Sequence, residues 1–158
     1  MKKIFICIAS VMTLLTACTM QNNPLLTPSP LPYGAPQFDK ISEEHYIPAF
    51  KQAVKEGKAE IDAIVNNREE PSFSNTIEAL DYAGSAVNKV SGIFYNLLEA
   101  DANDTLQQIA EEISPMMTEY SMYVSLNEKL FERVRKVYEQ RGYVETQRLT
   151  WNYNEESM

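Results

Sequence analysis

Histidine occurs once in the 158 residues, as His45, and cysteine only twice, as Cys7 and Cys18. A single imidazole cannot build a His-Glu-x-x-His zinc helix, and it leaves no base and partner for the usual nucleophilic triads. His45 therefore reads as a partly exposed residue in a first helical turn rather than a ligand. Two cysteines make no thiolate cluster for zinc or an iron–sulfur centre. The five glycines are scattered and none precedes a Lys-Ser or Lys-Thr pair, so no phosphate loop is present and nucleotide chemistry has no support. Cations are in the minority, 14 against 22 acidic residues, for a net charge of −8. That balance argues against nucleic acid as a partner, because such binding rests on cationic contacts to phosphate. Long alternating runs are missing, which argues against a sheet, and no internal repeat is evident.

What the chain does have begins at its first residues. Met1-Lys2-Lys3 precedes the mostly apolar run Ile4 to Leu15, too short to span a bilayer as a helix and in keeping with a cleavable export signal over residues 1–17. Leu15-Thr16-Ala17-Cys18 sets a cysteine directly after a small pair and resembles the lipobox of bacterial lipoproteins. The resemblance implies that Cys18 becomes a lipidated amino terminus, with a diacylglycerol thioether and an N-acyl group. Several chains, at about 0.8 kcal/mol per buried methylene, give a stable anchor without a membrane span. The bland alternative is an ordinary secretory leader with Cys18 as a free thiol. Cys7 leaves with the leader, so no disulfide is expected within the mature chain, and loss of Lys2 and Lys3 takes the net charge from −8 to −10. Thr19 is not an acidic retention signal, which places the expected anchor in the cell envelope, on the outer membrane facing the periplasm.

Residues 18–37 carry Pro24, Pro28, Pro30, Pro32 and Pro36 among Asn, Ser, Thr and Gly, the composition of an extended, poorly packed tether. Roughly 140 mature residues allow one modest domain. Residues 38–149 are expected to form it as an all-α, antiparallel bundle of about four helices, because short connections join amphipathic segments. Ser42 with Glu43 and Glu44 offers the first cap, followed by Tyr46, Phe50, Val54, Ile61 and Ile64 on one face, with Pro48 as an early interruption. Ser72 to Thr76 caps a second helix through Ile77, Leu80, Val87, Phe94 and Leu98. Asp101 to Asp104 caps a third, with Leu106, Ile109, Ile113, Met116, Met117 and Tyr120 inward and Pro115 as a kink. The fourth is expected from about Asn127 to Arg141, burying Leu130, Phe131, Val134, Val137 and Tyr138. Residues 150–158 show neither a cap nor a clear period.

The acidic pairs Glu43-Glu44, Glu69-Glu70, Glu111-Glu112 and Glu155-Glu156 raise acid/base catalysis. Adjacent helical residues point apart, so they read as solvated faces, with no sign of two carboxylates converging across a cleft. Met116, Met117 and Met122 read as core filling rather than an adaptable surface. Tyr120 and Tyr123 are expected to straddle core and surface with hydroxyls toward water.

In order along the chain stand Leu31-Pro32-Tyr33-Gly34-Ala35-Pro36, Phe38-Asp39-Lys40-Ile41 and Glu44-His45-Tyr46-Ile47-Pro48-Ala49-Phe50. Glu60-Ile61-Asp62-Ala63-Ile64, Pro71-Ser72-Phe73-Ser74-Asn75-Thr76-Ile77-Glu78-Ala79-Leu80, Phe94-Tyr95-Asn96-Leu97 and Leu126-Asn127-Glu128-Lys129-Leu130-Phe131 follow. This colinear set resembles the amino-terminal region of bacterial peptidyl-dipeptidases, in the zinc metallopeptidase family of thimet oligopeptidase and oligopeptidase A. The resemblance reaches to about Leu149 and covers only the beginning of a much longer enzyme. It implies helices that wall or cap a channel for oligopeptides, in an enzyme that removes dipeptides from their carboxyl ends. The zinc ligands and the glutamate base of the family lie far downstream, so no residue here inherits a catalytic or metal role, and the chain is expected to be truncated before the catalytic part and inactive alone. Two other readings stay open: a stand-alone lipid-anchored helical module that binds a peptide or protein in a groove, and docking of a separately encoded catalytic part.

Overall fold

A computed structural model describes residues 23–141. The leader, Cys18 and the segment 150–158 lie outside the described residues. Within them the fold is all-α, as expected, and no strand occurs. Three short 3-10 turns, Pro32–Gly34, Phe38–Lys40 and Glu43–His45, lead into α1, Tyr46–Val65. A π-helical turn, Phe73–Glu78, continues into α2, Ala79–Tyr82; α3 spans Ser85–Ala100 and α4 spans Asp104–Ser125. Residues 128–141 form α5.

The chain packs as two units. Among the described residues, one comprises those up to Glu56 together with Gly84–Thr118; the other comprises Gly57–Ala83 and those from Glu119. In the first unit Tyr46, Ala49, Phe50 and Ala53 recur at three and four positions along α1 and are all buried, the stripe of an amphipathic helix. Phe94 of α3 meets Tyr46 edge-on at 5.0 Å between centroids and Phe50 at 5.7 Å. Such aromatic pairs contribute about 0.5–1.5 kcal/mol each beyond the area they bury. Val87 and Val90 of α3 and Leu106, Ile109 and Ile113 of α4 are buried in the same unit.

Pro48 does not interrupt α1. It sits third in the helix, where a backbone N–H would have no intrahelical acceptor, so its missing donor costs nothing. Ordered packing also starts well before Phe38. The Asn23 side chain accepts from Leu25 N at 3.0 Å and donates to the His45 carbonyl at 2.8 Å, and Leu25 is only 1% exposed. Lys89 Nζ donates to the Thr27 carbonyl at 3.0 Å. Residues 23–27 are thus part of the first unit rather than an unpacked tether, because one asparagine satisfies the turn and one leucine enters the core.

In the second unit Ile61, Ile64 and Leu130 form the buried cluster, with Val65, Leu80, Tyr123 and Val124 packed against it. The expected single helix through Ile77 and Phe94 is divided instead. Gly84 takes φ 78°, a left-handed conformation, and separates α2 from α3; a side chain there would be strained. Ser72 does cap the segment, its hydroxyl accepting from Asn75 N at 3.2 Å. The cap expected around Asp101–Asp104 resides in Asn103, whose Oδ1 accepts from Leu106 N at 2.8 Å. Asn127 caps α5 in the same way, accepting from Leu130 N at 3.0 Å. Pro115 lies inside α4.

Candidate functional site

The first unit contains a cavity of about 380 Å³. Ile41, Tyr46, Leu97 and Leu106 supply its apolar lining, Glu43 and Asp101 bring carboxylates to it, and among the described residues no cationic side chain lines it. Asn103 ties the polar side together: its Oδ1 caps α4 while its Nδ2 donates to Glu43 Oε1 at 2.9 Å. Tyr46 is 1% exposed, and its hydroxyl has no hydrogen-bond partner among the described residues. Burial, reinforced by the negative charge of Glu43, holds its phenol above the usual tyrosine range.

A shallower hollow of about 270 Å³ lies in the second unit, lined by Glu60, Ala63, Ile64, Ala79, Tyr82 and Ala83. The polar centre of that unit is Arg133, buried at 8% exposure. Its Nη1 donates to the carbonyls of Asn67 at 2.9 Å and Glu69 at 3.4 Å, and its Nη2 to Asn75 Oδ1 at 3.0 Å. This corrects the expected inner face of α5: Leu130 is buried as foreseen, but Phe131 and Tyr138 are 65% and 58% exposed. The loop carbonyls before the π-turn need donors, and a guanidinium, with its fork of N–H groups, meets three acceptors at once.

His45 is engaged in a turn. Its Nδ1 accepts from Ser42 N at 2.9 Å, a structural role at the entry to α1. Among the acidic pairs, Glu112 faces Lys51 at 3.7 Å with both side chains exposed, and Glu43 alone of these residues lines the larger cavity; Glu155-Glu156 lies outside the described residues. Met116 and Met117 are half-buried and Met122 is 53% exposed, so the three do not fill a core. Tyr120 and Tyr123 are half-buried, as expected, and the Tyr123 hydroxyl donates to Asp62. The cavity group escaped sequence reasoning because Glu43 and Asn103 read there only as separate helix caps, 60 positions apart.

The fit of these residues to zinc is poor. No group of three His, Cys, Asp or Glu side chains among the described residues could hold a metal ion, and one nitrogen of the sole histidine is already occupied by the turn. No helix among them is long and apolar enough to cross a membrane.

No family profile matches the chain. Individual proteins do. It is 43% identical over 122 residues to the dipeptidyl carboxypeptidase of Salmonella typhimurium strain LT2, covering 77% of this chain and 18% of that protein. The chain is a relative of the bacterial dipeptidyl carboxypeptidases. The dipeptidyl carboxypeptidase of Escherichia coli K12 is 41% identical over 119 residues, again with 18% of its length covered. Oligopeptidase A of Salmonella typhimurium is a more distant relative, 26% identical over 113 residues and covered to 16%. The 122 matched residues thus cover less than a fifth of a dipeptidyl carboxypeptidase, in its amino-terminal region.

Proposed function

We propose that this chain is the amino-terminal helical part of a zinc peptidyl-dipeptidase, an enzyme that removes dipeptides from the carboxyl ends of oligopeptides. The observation that carries the reading is the 43% identity over 122 residues to a dipeptidyl carboxypeptidase of which only 18% is covered. In this reading the helices contribute to the wall or cap of the peptide channel. The zinc, its ligands and the glutamate base belong to a catalytic part outside these residues, either continuous with them or separately encoded. The chain alone is inactive. Cys18 carries the lipid, and the protein is held in the cell envelope, on the outer membrane facing the periplasm.

The test is an assay of the purified chain on an amino-blocked oligopeptide with added zinc. No dipeptide release is expected. Zinc-dependent release by the chain alone would overturn the assignment. A dipeptidyl carboxypeptidase deprived of its own amino-terminal region is expected to regain activity when this chain is added, and failure to do so counts against the wall or cap role. For the anchor, metabolic labelling with a radioactive fatty acid is expected to mark the native protein and not Cys18→Ser.

One observation favours the alternative of a stand-alone lipid-anchored module that binds a peptide or protein: the carboxylate-lined cavity of the first unit is formed by this chain's own residues.

A further inference from the structure

We propose that the turn formed by residues 31–35 is a docking knob, whose Tyr33 ring enters an apolar socket on the zinc-bearing part of a dipeptidyl carboxypeptidase. The inference rests on the peptidase reading and names the residue through which this chain meets the rest of such an enzyme. Tyr33 has φ 59° and ψ 15°, in the left-handed region, and Gly34 follows at φ 67°. Among the described residues no other non-glycine has a positive φ, and for a bulky aromatic that conformation is strained. Strain of this kind persists only where the surrounding structure imposes it. Here the turn supplies its own brace. Ser29 Oγ donates to the Ala35 carbonyl at 2.6 Å and accepts from Leu31 N at 3.2 Å, and Gly34 N donates to the Leu31 carbonyl at 3.1 Å. The ring of Pro32 fixes the backbone just before Tyr33. The tyrosine ring takes no part: it is 107% exposed, with no ring contact or hydrogen bond among the described residues. A braced turn that holds a strained tyrosine clear of its own body points to a contact outside that body.

Composition is an independent mark. The chain is 23% charged, yet residues 28–38 contain no Asp, Glu, Lys or Arg. Leu31, Tyr33 and Phe38 within this stretch are all exposed. Depletion of charge around exposed aromatics is the signature of the core of a protein–protein interface. Pro28, Pro30, Pro32 and Pro36 leave the segment little conformational freedom to lose on docking. What the turn lacks decides its occupant. Apolar residues that enter a lipid surface are accompanied by cations, and no lysine or arginine stands between Lys3 and Lys40. A symmetric pair of copies needs knob and socket on one surface, and the larger hollow of this unit carries Glu43 and Asp101 in its lining. The rest of a dipeptidyl carboxypeptidase has the room: the match covers only 18% of the Salmonella protein, and Leu31-Pro32-Tyr33 stands in the colinear set that carries the likeness.

The experiment exchanges Tyr33 for a photoreactive benzoylphenylalanine in the full chain, in the cells that make it, and sequences the irradiated products by mass spectrometry. The expected product joins position 33 to a peptide of the zinc-bearing part of a dipeptidyl carboxypeptidase, on the same or a separate chain. A product with lipid, with a second copy or with any other protein, or no product at all, overturns the proposal. Dipeptide release is followed in the same preparations. Activity that purifies with the chain without such a product removes the knob and leaves the peptidase reading standing, whereas absence of both removes both. Tyr33→Ser keeps the strained backbone and lacks the ring. It is expected to cut the activity retained on the chain by about tenfold or more where the parts are separate, the scale of a lost interface anchor, and to lower the melting temperature of the whole where they are continuous. Tyr33→Phe is expected to behave as the native chain. In the purified chain alone Tyr33→Gly is expected to melt no lower than the native protein, because glycine takes a positive φ freely and the ring has no contact to lose. A clear drop in melting for Tyr33→Gly, or native behaviour of Tyr33→Ser, overturns the proposal.

Discussion

Arg133 Nη1 donates to the carbonyl of Asn67 at 2.9 Å across 66 positions of sequence, pinning the loop after α1 to α5. The same side chain reaches Glu69 and Asn75, so one residue organises the entry to the π-turn. Arg133→Met keeps most of the apolar stem and strands these acceptors. It is expected to cost about 1–3 kcal/mol, the scale of hydrogen bonds lost from a charged donor to part-buried acceptors. A lower urea midpoint at unchanged slope is the readout. Arg133→Lys is expected to recover little, because a point charge cannot reproduce the fork. Native-like melting of both variants would show that the loop is held by other contacts.

Gly57 sits inside α1 where a Cβ would come 2.7 Å from the Tyr120 hydroxyl and 3.0 Å from its ring. Alanine is favoured over glycine in a helix interior by about 1 kcal/mol, but here that gain is set against displacement of the ring. Gly57→Ala is expected to raise the melting temperature in a Tyr120→Ala background and to lower it or leave it unchanged in the native one. The non-additivity of the double-mutant cycle measures the clash; equal effects in both backgrounds would show that Tyr120 moves aside freely.

Glu119 is held below the usual carboxylate range, first by its hydrogen bond from Lys58 at 2.5 Å and then by the charge of that lysine. A depressed carboxylate contributes stability that is fully present above its unfolded-state value and lost as pH falls through the folded one. Lys58→Met is therefore expected to raise the Glu119 midpoint toward its ordinary value in a carboxyl-carbon NMR titration. The stability difference between native and variant should be flat near neutrality and narrow on acidification. Because Glu119 is exposed, high salt should shrink the effect. An unmoved midpoint would mean that the ion pair does not persist in solution.

Local chemistry made much of the fold legible. Asparagines before apolar runs mark the starts of α4 and α5, and both act as the caps that their position implies. The buried stripe of α1 follows from its three-and-four spacing. The breaks in the reading came from long-range effects. Gly84 looks like any glycine in a helical pattern, and only its φ of 78° reveals a helix boundary. α5 has apolar residues on two adjacent faces, and the demand of distant loop carbonyls for donors turns Arg133 inward while Phe131 stays outside. The cavity was illegible for the same reason: it joins Glu43 to Asn103, and nothing in the spacing of either segment foretells their contact.

The burial of Leu25 shortens a leash. If Cys18 bears lipid, only four residues, or five residue-to-residue steps, separate it from Asn23, whose side chain is locked onto the His45 carbonyl. At about 3.3–3.6 Å per residue, that strand reaches about 17 Å when fully drawn out. The folded body would then skim the headgroups rather than sweep the space beyond them, and its encounters with a membrane-bound neighbour would be a search in two dimensions.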